Sequence, residues 1–306
     1  MAITTFDKFA GVGRTLSLLD EELILLGNDE VGTKSGRYIS IQKPRDGLLA
    51  MKYTSQSIPL SGSPYRHTSL VSKNTLAIVG GKFKSKGILS KFTWTGLFLE
   101  WQNGTKFKAD FAGSCAIKLG TDLHIIFGGE RKISSRQISE RGVVKLNITQ
   151  KVAVEMKPMK RGRKFHSCQL LDKSVVLLSG GLDQSVIQQD ELYDVTSEEK
   201  DVLLSLDQSL RRSHHAVVRL GDRIYAMGGL DSEGKAPSKI AEFAMTSHSW
   251  IESTQELHSS NTSEVVTTEF PTASLDCVSE CQCGNASLKE RIYGGDDAKV
   301  NIIITK

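Results

Sequence analysis

The chain has 306 residues, a formal net charge of +4 and 39% hydrophobic residues. That length is ample for a repeat fold that buries a small core between neighbouring units, and the charge is too weak to imply nucleic-acid binding. No apolar run approaches the roughly 18 residues of a membrane span, so we expect none. Residues 1–10 lack the layout of a signal peptide, which favours the cytoplasm.

A sequence motif of two strands followed by a pair of glycines recurs through most of the chain. Its fullest copy is Arg212–Gly229, in which Gly221-Asp222 provides the turn and Ile224–Met227 the second strand. Two adjacent glycines after a strand indicate positive φ or a very close approach of the backbone. The recurring doublets are 48, 52 and 48 residues apart, at Gly80-Gly81, Gly128-Gly129, Gly180-Gly181 and Gly228-Gly229.

The repeat has a period near 50 residues, four short strands and a doublet after the second strand. In these features it resembles the kelch repeat of β-propellers. The resemblance implies an all-β, kelch-type propeller over residues 11–276, with five recognisable four-stranded blades and a partial sixth over 258–276. Residues 1–10 contain a lone strand that could close the ring and remove its exposed edges.

The composition changes after the repeats, in a tail of residues 277–306 that contains Cys277, Cys281 and Cys283. Its sequence Arg291-Ile292-Tyr293-Gly294-Gly295 resembles the activation junction of trypsin-like serine protease zymogens, with Tyr293 in place of the usual Val. The resemblance implies cleavage between Arg291 and Ile292 and a cysteine that bridges to a protease domain. Because the family's catalytic residues follow the junction, we expect no catalysis from this chain. Zinc is the alternative for the cysteines, but structural zinc sites use four ligands.

Four of the seven asparagines lie in Asn-x-Ser/Thr sequons, more than composition predicts, and are candidates for N-glycosylation: Asn103, Asn147, Asn261 and Asn285. Together with the tail they favour an extracellular protein, against the evidence of residues 1–10.

The cysteines and histidines of the repeats receive structural interpretations. Cys115 and Cys168 each follow a serine at what look like equivalent positions, and we interpret them as buried free cysteines. His67, His166 and His214 recur at one repeat position. We interpret these too as structural, so no metal or other cofactor is expected.

Loops after the doublets and links between blades emerge on one face of a propeller, where binding residues are common. That face carries a basic set, to which Arg136 and Lys157 also contribute: Lys82, Lys84, Lys86, Arg131, Lys132, Lys160, Arg161, Arg163 and Lys164. A basic rim favours a protein partner with an acidic surface. The alternative is solvated loop charge, because acidic residues such as Glu130 and Asp183 share the face. No aromatic residues alternate with the lysines, which argues against single-stranded nucleic acid.

The sequence therefore predicts a non-catalytic protein–protein interaction module of the kelch propeller type. The alternative is the regulatory N-terminal part of a secreted trypsin-like serine protease. A copper-dependent propeller oxidase is a further alternative, but its Tyr, Cys and His ligands cannot be assigned here.

Overall fold

The structure is a computed structural model, which describes residues 112–133, 136–150, 152–197 and 202–256 together with eight strands between Thr15 and Lys106. This part of the chain is almost entirely β, with a single 3-10 turn at Gln208–Leu210. No helix in it is long and apolar enough to cross a membrane. The predicted N-terminal strand, partial sixth blade and Cys-containing tail lie outside the described residues.

The described strands form five four-stranded antiparallel sheets. The first is β1 Thr15–Leu19, β2 Glu22–Leu26, β3 Ser35–Gln42 and β4 Ala50–Pro59. The second is β5 His67–Ser72, β6 Thr75–Gly80, β7 Ile88–Trp94 and β8 Leu99–Lys106. The third is β9 Cys115–Lys118, β10 Leu123–Phe127, β13 Val143–Asn147 and β14 Val152–Met156. The fourth is β15 Ser167–Leu170, β16 Val175–Ser179, β19 Gln189–Asp194 and β20 Val202–Ser205, and the fifth is β21 Ala216–Leu220, β22 Arg223–Met227, β23 Lys239–Ala244 and β24 Ser249–Glu256.

Each sheet is an up-and-down meander, with its strands in chain order from one edge to the other. The first strands of consecutive sheets, β1, β5, β9, β15 and β21, are neighbours. They are therefore the innermost strands, and the sheets are the blades of a propeller. The prediction of an all-β propeller with five recognisable blades is confirmed.

Two short hairpins follow the doublets, where the sequence indicated only loops. The first pairs β11 Glu130–Ile133 with β12 Arg136–Ser139, and the second pairs β17 Leu182–Asp183 with β18 Ser185–Val186. Each leaves its blade after the second strand and returns before the third. Together with the blade links they form what we call the doublet face, whereas the turns between first and second strands lie at the opposite face.

The core lies between blades. Strands of blades three and four contribute Ile117, Ile125, Phe127, Val176 and Leu178 to one buried cluster, in which the Phe127 and Tyr193 rings meet edge to face at 5.2 Å. Similar clusters fill the interfaces of blades two and three and of blades four and five. Alternate residues of a strand thus face different neighbouring blades.

The interpretation of Cys115 and Cys168 as free and equivalent cysteines is wrong, because they form a disulfide with Cα atoms 5.9 Å apart. Cys115 lies opposite Phe127, directly before its doublet, whereas Cys168 lies opposite Leu178, two residues before the next doublet. Successive side chains of a strand point to opposite faces. The offset of one residue therefore lets the two cysteines face each other across the interface of blades three and four.

The grouping of His214 with His67 and His166 is also wrong. A Cβ added at Gly181 would lie 2.7 Å from the Cβ of His166, and one added at Gly229 would lie 2.7 Å from that of His215. His215 is therefore the equivalent of His166.

His214 belongs instead with Gly113 and Phe165, which share its positive φ of 50–70°. The N–H of Phe165 donates to Gly113 O at 2.7 Å, and that of His214 donates to Phe165 O at 2.9 Å. The Phe165 and His214 rings stack at 4.2 Å. These backbone bonds connect blades three, four and five near the inner strands.

Candidate interaction surface

In blades three and four the glycine doublet holds the blade against the start of the next. Gly128 and Gly180 have φ of 56°, and Gly129 and Gly181 have φ of 109° and 98°. A Cβ at Gly128 would lie 2.5 Å from Arg163 O, and one at Gly180 would collide with Arg212 O. The N–H of Gly129 donates to Arg163 O at 2.8 Å, and that of Gly181 donates to Arg212 O at 3.0 Å. Gly228 and Gly229 also have positive φ. Gly80 lies opposite His67 in its sheet, and Gly81 is outside the described residues.

The prediction that Arg163 lies on an exposed basic rim is wrong. Its side chain is fully buried and lies 3.7 Å from Glu191. The guanidinium donates to Gly180 O at 2.9 Å and to Gln189 O at 2.8 Å. Arg163 therefore ties the blade link to the doublet and the third strand of blade four, and cannot contact a partner.

A buried set of opposite charges surrounds Arg163 at the interface of blades four and five. Asp190 accepts from Gly180 N–H at 2.7 Å and from Trp250 Nε1 at 2.6 Å, so Trp250 of blade five is fixed to blade four. Burial raises the pKa of Asp190, and the nearby Arg163 opposes that shift. Arg212 is also buried, and Asp190 and Glu252 attract its charge. Because Arg163, Asp190 and Arg212 are buried, they act in structure rather than in binding.

Two buried imidazoles lie beside these charges. Burial and, as the smaller cause, the charge of Arg163 lower the pKa of His166 to about 3. Burial likewise lowers the pKa of His215 well below its usual value, with Arg212 as the next cause. His215 Nε2 lies 3.2 Å from Ser179 Oγ. Both rings are therefore neutral at physiological pH.

Lys164 is also unsuitable as a free rim charge. Its side chain is only 14% exposed, and its Nζ lies 3.2 Å from Glu130 Oε2, which is itself buried. Arg131 is exposed but forms an ion pair of 2.5 Å with Glu140. The side chain of Lys132, and all of Lys82, Lys84 and Lys86, lie outside the described residues.

Lys160 and Arg161 are exposed in the link between blades three and four, as the sequence predicts. Neither forms an ion pair with a described carboxylate. The exposed Arg136 lies on the adjoining hairpin, and the exposed Arg141 follows it, with its Nε donating to Met159 O at 2.7 Å. We call Arg136, Arg141, Lys160 and Arg161 the basic link surface. The sequence did not predict Arg141 as part of this surface, because Arg141 reaches the link only through its backbone hydrogen bond with Met159.

Backbone bonds fix the link that carries these cations. Met159 N–H donates to Arg141 O at 2.9 Å, and Arg163 N–H donates to Glu140 O at 3.1 Å. Lys160 N–H donates to the buried Glu191 carboxylate at 2.8 Å. Lys160 and Arg161 thus lie on a segment anchored on both sides, so binding through it requires little ordering of the backbone.

Of the sequons, Asn147 is described in full. It ends β13 and lies half-buried opposite Val152, and its Oδ1 accepts from Gln150 N–H at 2.8 Å. The side chain of Asn103 on β8, and all of Asn261 and Asn285, lie outside the described residues, as do Arg291 and Ile292.

Comparison with known proteins agrees with this architecture. A profile of the Kelch motif matches residues 211–252, which include the fullest copy of the repeat. The solved structure titled "Structure of YjhT" superposes with a TM-score of 0.54 at 15% identity, over 65% of this chain and 69% of that one. The fold is a kelch-type β-propeller. The kelch match covers the whole of blade five apart from its last strand residues, and no match to a curated protein was found.

Within the described part of this propeller, no group of three or more His, Cys, Asp or Glu side chains is arranged to hold a metal ion. His67, His166 and His215 are buried, and His214 is half-buried.

Proposed function

We propose that this propeller is a non-catalytic protein–protein interaction module that binds an acidic segment of its partner through the basic link surface. The observation that carries the proposal is the exposure of Lys160 and Arg161 on a link fixed by backbone bonds. Loops on a rigid scaffold are the usual place for binding residues.

The charges of the surface support an anionic partner. Arg136, Arg141, Lys160 and Arg161 are exposed, whereas the acidic residues beside them are partly neutralised. Glu130 is paired with Lys164 and Glu140 with Arg131, which leaves Asp183 as an exposed carboxylate on the neighbouring hairpin. Exposed Ile138 adds apolar area on the same hairpin as Arg136. An acidic peptide that also carries an aliphatic side chain fits this combination.

Charge reversal tests the proposal. The double variant Lys160→Glu/Arg161→Glu should bind an array of Asp- and Glu-rich peptides at least about tenfold more weakly than the wild type, mainly through slower association, because rim charges act on encounter. The salt dependence of the association rate should fall with it. Surface plasmon resonance on the best peptide measures both.

The matched control is Lys173→Glu/Arg223→Glu, which reverses two exposed cations at the opposite face, one in a turn and one at the start of β22. It should retain peptide affinity within about twofold, because it makes the same change in net charge away from the site. Equal losses in the two double variants would contradict a localised surface, as would full binding by Lys160→Glu/Arg161→Glu.

We also propose that the protein resides in an extracellular or other oxidising compartment. The disulfide between Cys115 and Cys168 supports this, because disulfides persist in such compartments and are rare in the cytosol.

The second candidate, the regulatory part of a secreted trypsin-like protease, rests on the sequence around Arg291-Ile292, outside the described residues. It stays a prediction. Sequencing of the full-length transcript separates the two: a reading frame that continues into a protease domain favours the second candidate, and a stop codon after Lys306 favours the interaction module.

A further inference from the structure

The outer strand of each blade presents a sheet edge, and the five edges are protected differently. Exposed edges can pair with other strands, and proteins commonly prevent this with bulges, prolines or charges. Register shifts interrupt the outer pairs β3–β4, β7–β8 and β23–β24. The pairs β13–β14 and β19–β20 run without one. Only β14 and β20 therefore present regular outer edges in the described blades.

The edge strand β14 is aliphatic as well as regular. Its residues 152–155 are all exposed, with Val152 at 50% and Val154 at 53%. The two valines lie on one face of the sheet, opposite Asn147 and Lys145 of β13. The strand has no proline or glycine, and Glu155 is its single charge. By these criteria β14 is suited to pair with another strand.

The edge strand β20 differs in its flanking charge. The sequence before it contains Glu198, Glu199 and Asp201, with Lys200 as the single cation. A strand with this acidic flank repels a second copy of itself. The same flank repels any other strand that carries acidic residues at the paired positions.

The sequence of β14 is complementary to itself. When two copies pair antiparallel with Ala153 opposite Ala153, Val152 of each copy lies opposite Val154 of the other, on the same face. If the paired strand extends by one residue, this register brings Lys151, which lies outside the described residues, opposite Glu155. Apolar cross-strand pairs and opposite-charge pairs both stabilise antiparallel sheets. This one register therefore gives two apolar pairs and two pairs of opposite charge.

We propose that the β14 edge of blade three is a homodimer interface, in which β14 pairs antiparallel with β14 of a second copy, centred on Ala153. The two blades then form one continuous eight-stranded sheet. Because the shared edge is short, the interface is small in area and the dimer is reversible. The proposal does not depend on the basic link surface, which lies at the doublet face.

Sedimentation equilibrium of the full chain, produced in bacteria so that Asn147 carries no glycan, tests the interface. The wild type should dimerise, and Val154→Lys should raise the dimer dissociation constant at least about tenfold, because it places two lysines at the centre of the paired edge. Ile251→Lys is the matched control. It puts the same charge at a 57% exposed aliphatic position on an outer strand whose pairing is interrupted, and should change the constant by less than about twofold.

A wild type that stays monomeric up to about 200 µM, the highest concentration of the experiment, would overturn the proposal. So would a dimer that persists in Val154→Lys. Thermal melts identify a misfolded variant, and Val152→Thr then serves as a milder change that keeps β-propensity.

A charge swap tests the register. Glu155→Lys should weaken the dimer, because it places two lysines opposite each other at both ends of the paired segment. Adding Lys151→Glu to that variant should restore the wild-type constant to within about threefold, since each pair again has opposite charges. A double variant that remains as weak as Glu155→Lys would overturn the register centred on Ala153. Binding of acidic peptides should be unchanged in Val154→Lys, which separates this inference from the proposed function.

Discussion

Gly180 must be glycine for two reasons, its positive φ and its close contact with the next blade, and Gly221 shares only the first. The φ of 56° at Gly180 disfavours any side chain, and a Cβ there would collide with Arg212 O and lie 2.8 Å from His215 Cε1. Gly221, in the turn of blade five, has a φ of 62° but nothing within 4 Å of an added Cβ. The two residues thus share backbone strain and differ in their surroundings.

Substitution by alanine should distinguish the two effects. Gly221→Ala should lower the free energy of unfolding by about 1 kcal/mol, the usual cost of the left-handed region. Gly180→Ala should lower it by about 3 kcal/mol or more, because a carbonyl group of the next blade must also move. Chemical denaturation of both variants measures the difference. Equal losses would show that the close contact between blades four and five does not stabilise the fold.

Arg161 and Arg163 show what sequence can and cannot predict at the level of single residues. Both belong to one basic stretch, yet Arg161 is exposed and Arg163 is buried against Glu191. The acidic partners of Arg163 come almost 30 residues later, on β19. Only the pairing of strands within blade four brings them to the link, so the local sequence contains no signal for it.

At the scale of the strand, a shift of one residue decides whether two cysteines meet. The sequence aligned Cys115 with Cys168 through the serines before them, which would make both side chains face the same way around the ring. The strand register places Ser114 with His166 instead, and the resulting offset turns the cysteines toward each other. Hydrophobic alternation predicts a strand well but fixes its register poorly when neighbouring residues are small.

The interfaces between blades also contain neutral histidines, which make stability depend on pH. Burial lowers the pKa of His166 to about 3 and that of His124 to about 4, from 6.5. The unfolded chain therefore binds protons first as pH falls, so the stabilisation is complete above about pH 6.5 and is lost toward pH 4. Asp190, with a raised pKa, partly offsets this loss at low pH, because its folded form takes up a proton more readily. Arg163 and Arg212 keep their charges throughout.

Replacing His166 should reduce this acid sensitivity. Between pH 7.5 and 5.0 the free energy of unfolding should fall in both proteins. The fall should be about 2 kcal/mol smaller in His166→Gln than in the wild type, because one pKa unit corresponds to about 1.4 kcal/mol. Guanidinium titrations at the two pH values measure the change. His248→Gln, at an exposed turn position of blade five, is the matched control for the substitution itself. A His166→Gln protein with the full wild-type pH dependence would refute the burial of a neutral ring.

For the whole molecule, the 50-residue period was enough to predict the architecture. Four doublets, with Gly27-Asn28 as a weaker first copy, account for the five blades that the sequence predicted. The hairpins β11–β12 and β17–β18 were not predicted, because strands of two to four residues carry too few positions for a period to show. They also determine which cations reach the surface, since Arg136 lies on one and Arg141 directly after it.

The most direct test of the central claim is to find which face of the propeller a partner contacts. A photoreactive amino acid at Gln137, exposed beside Arg136 on the doublet face, should crosslink to an acidic partner in cells that express the protein. The adduct should disappear when Lys160→Glu/Arg161→Glu is added. The same group at Asp172, exposed in a turn of the opposite face, should give no such adduct. Crosslinks from Asp172 alone, or from Gln137 regardless of the charge reversal, would contradict binding through the basic link surface.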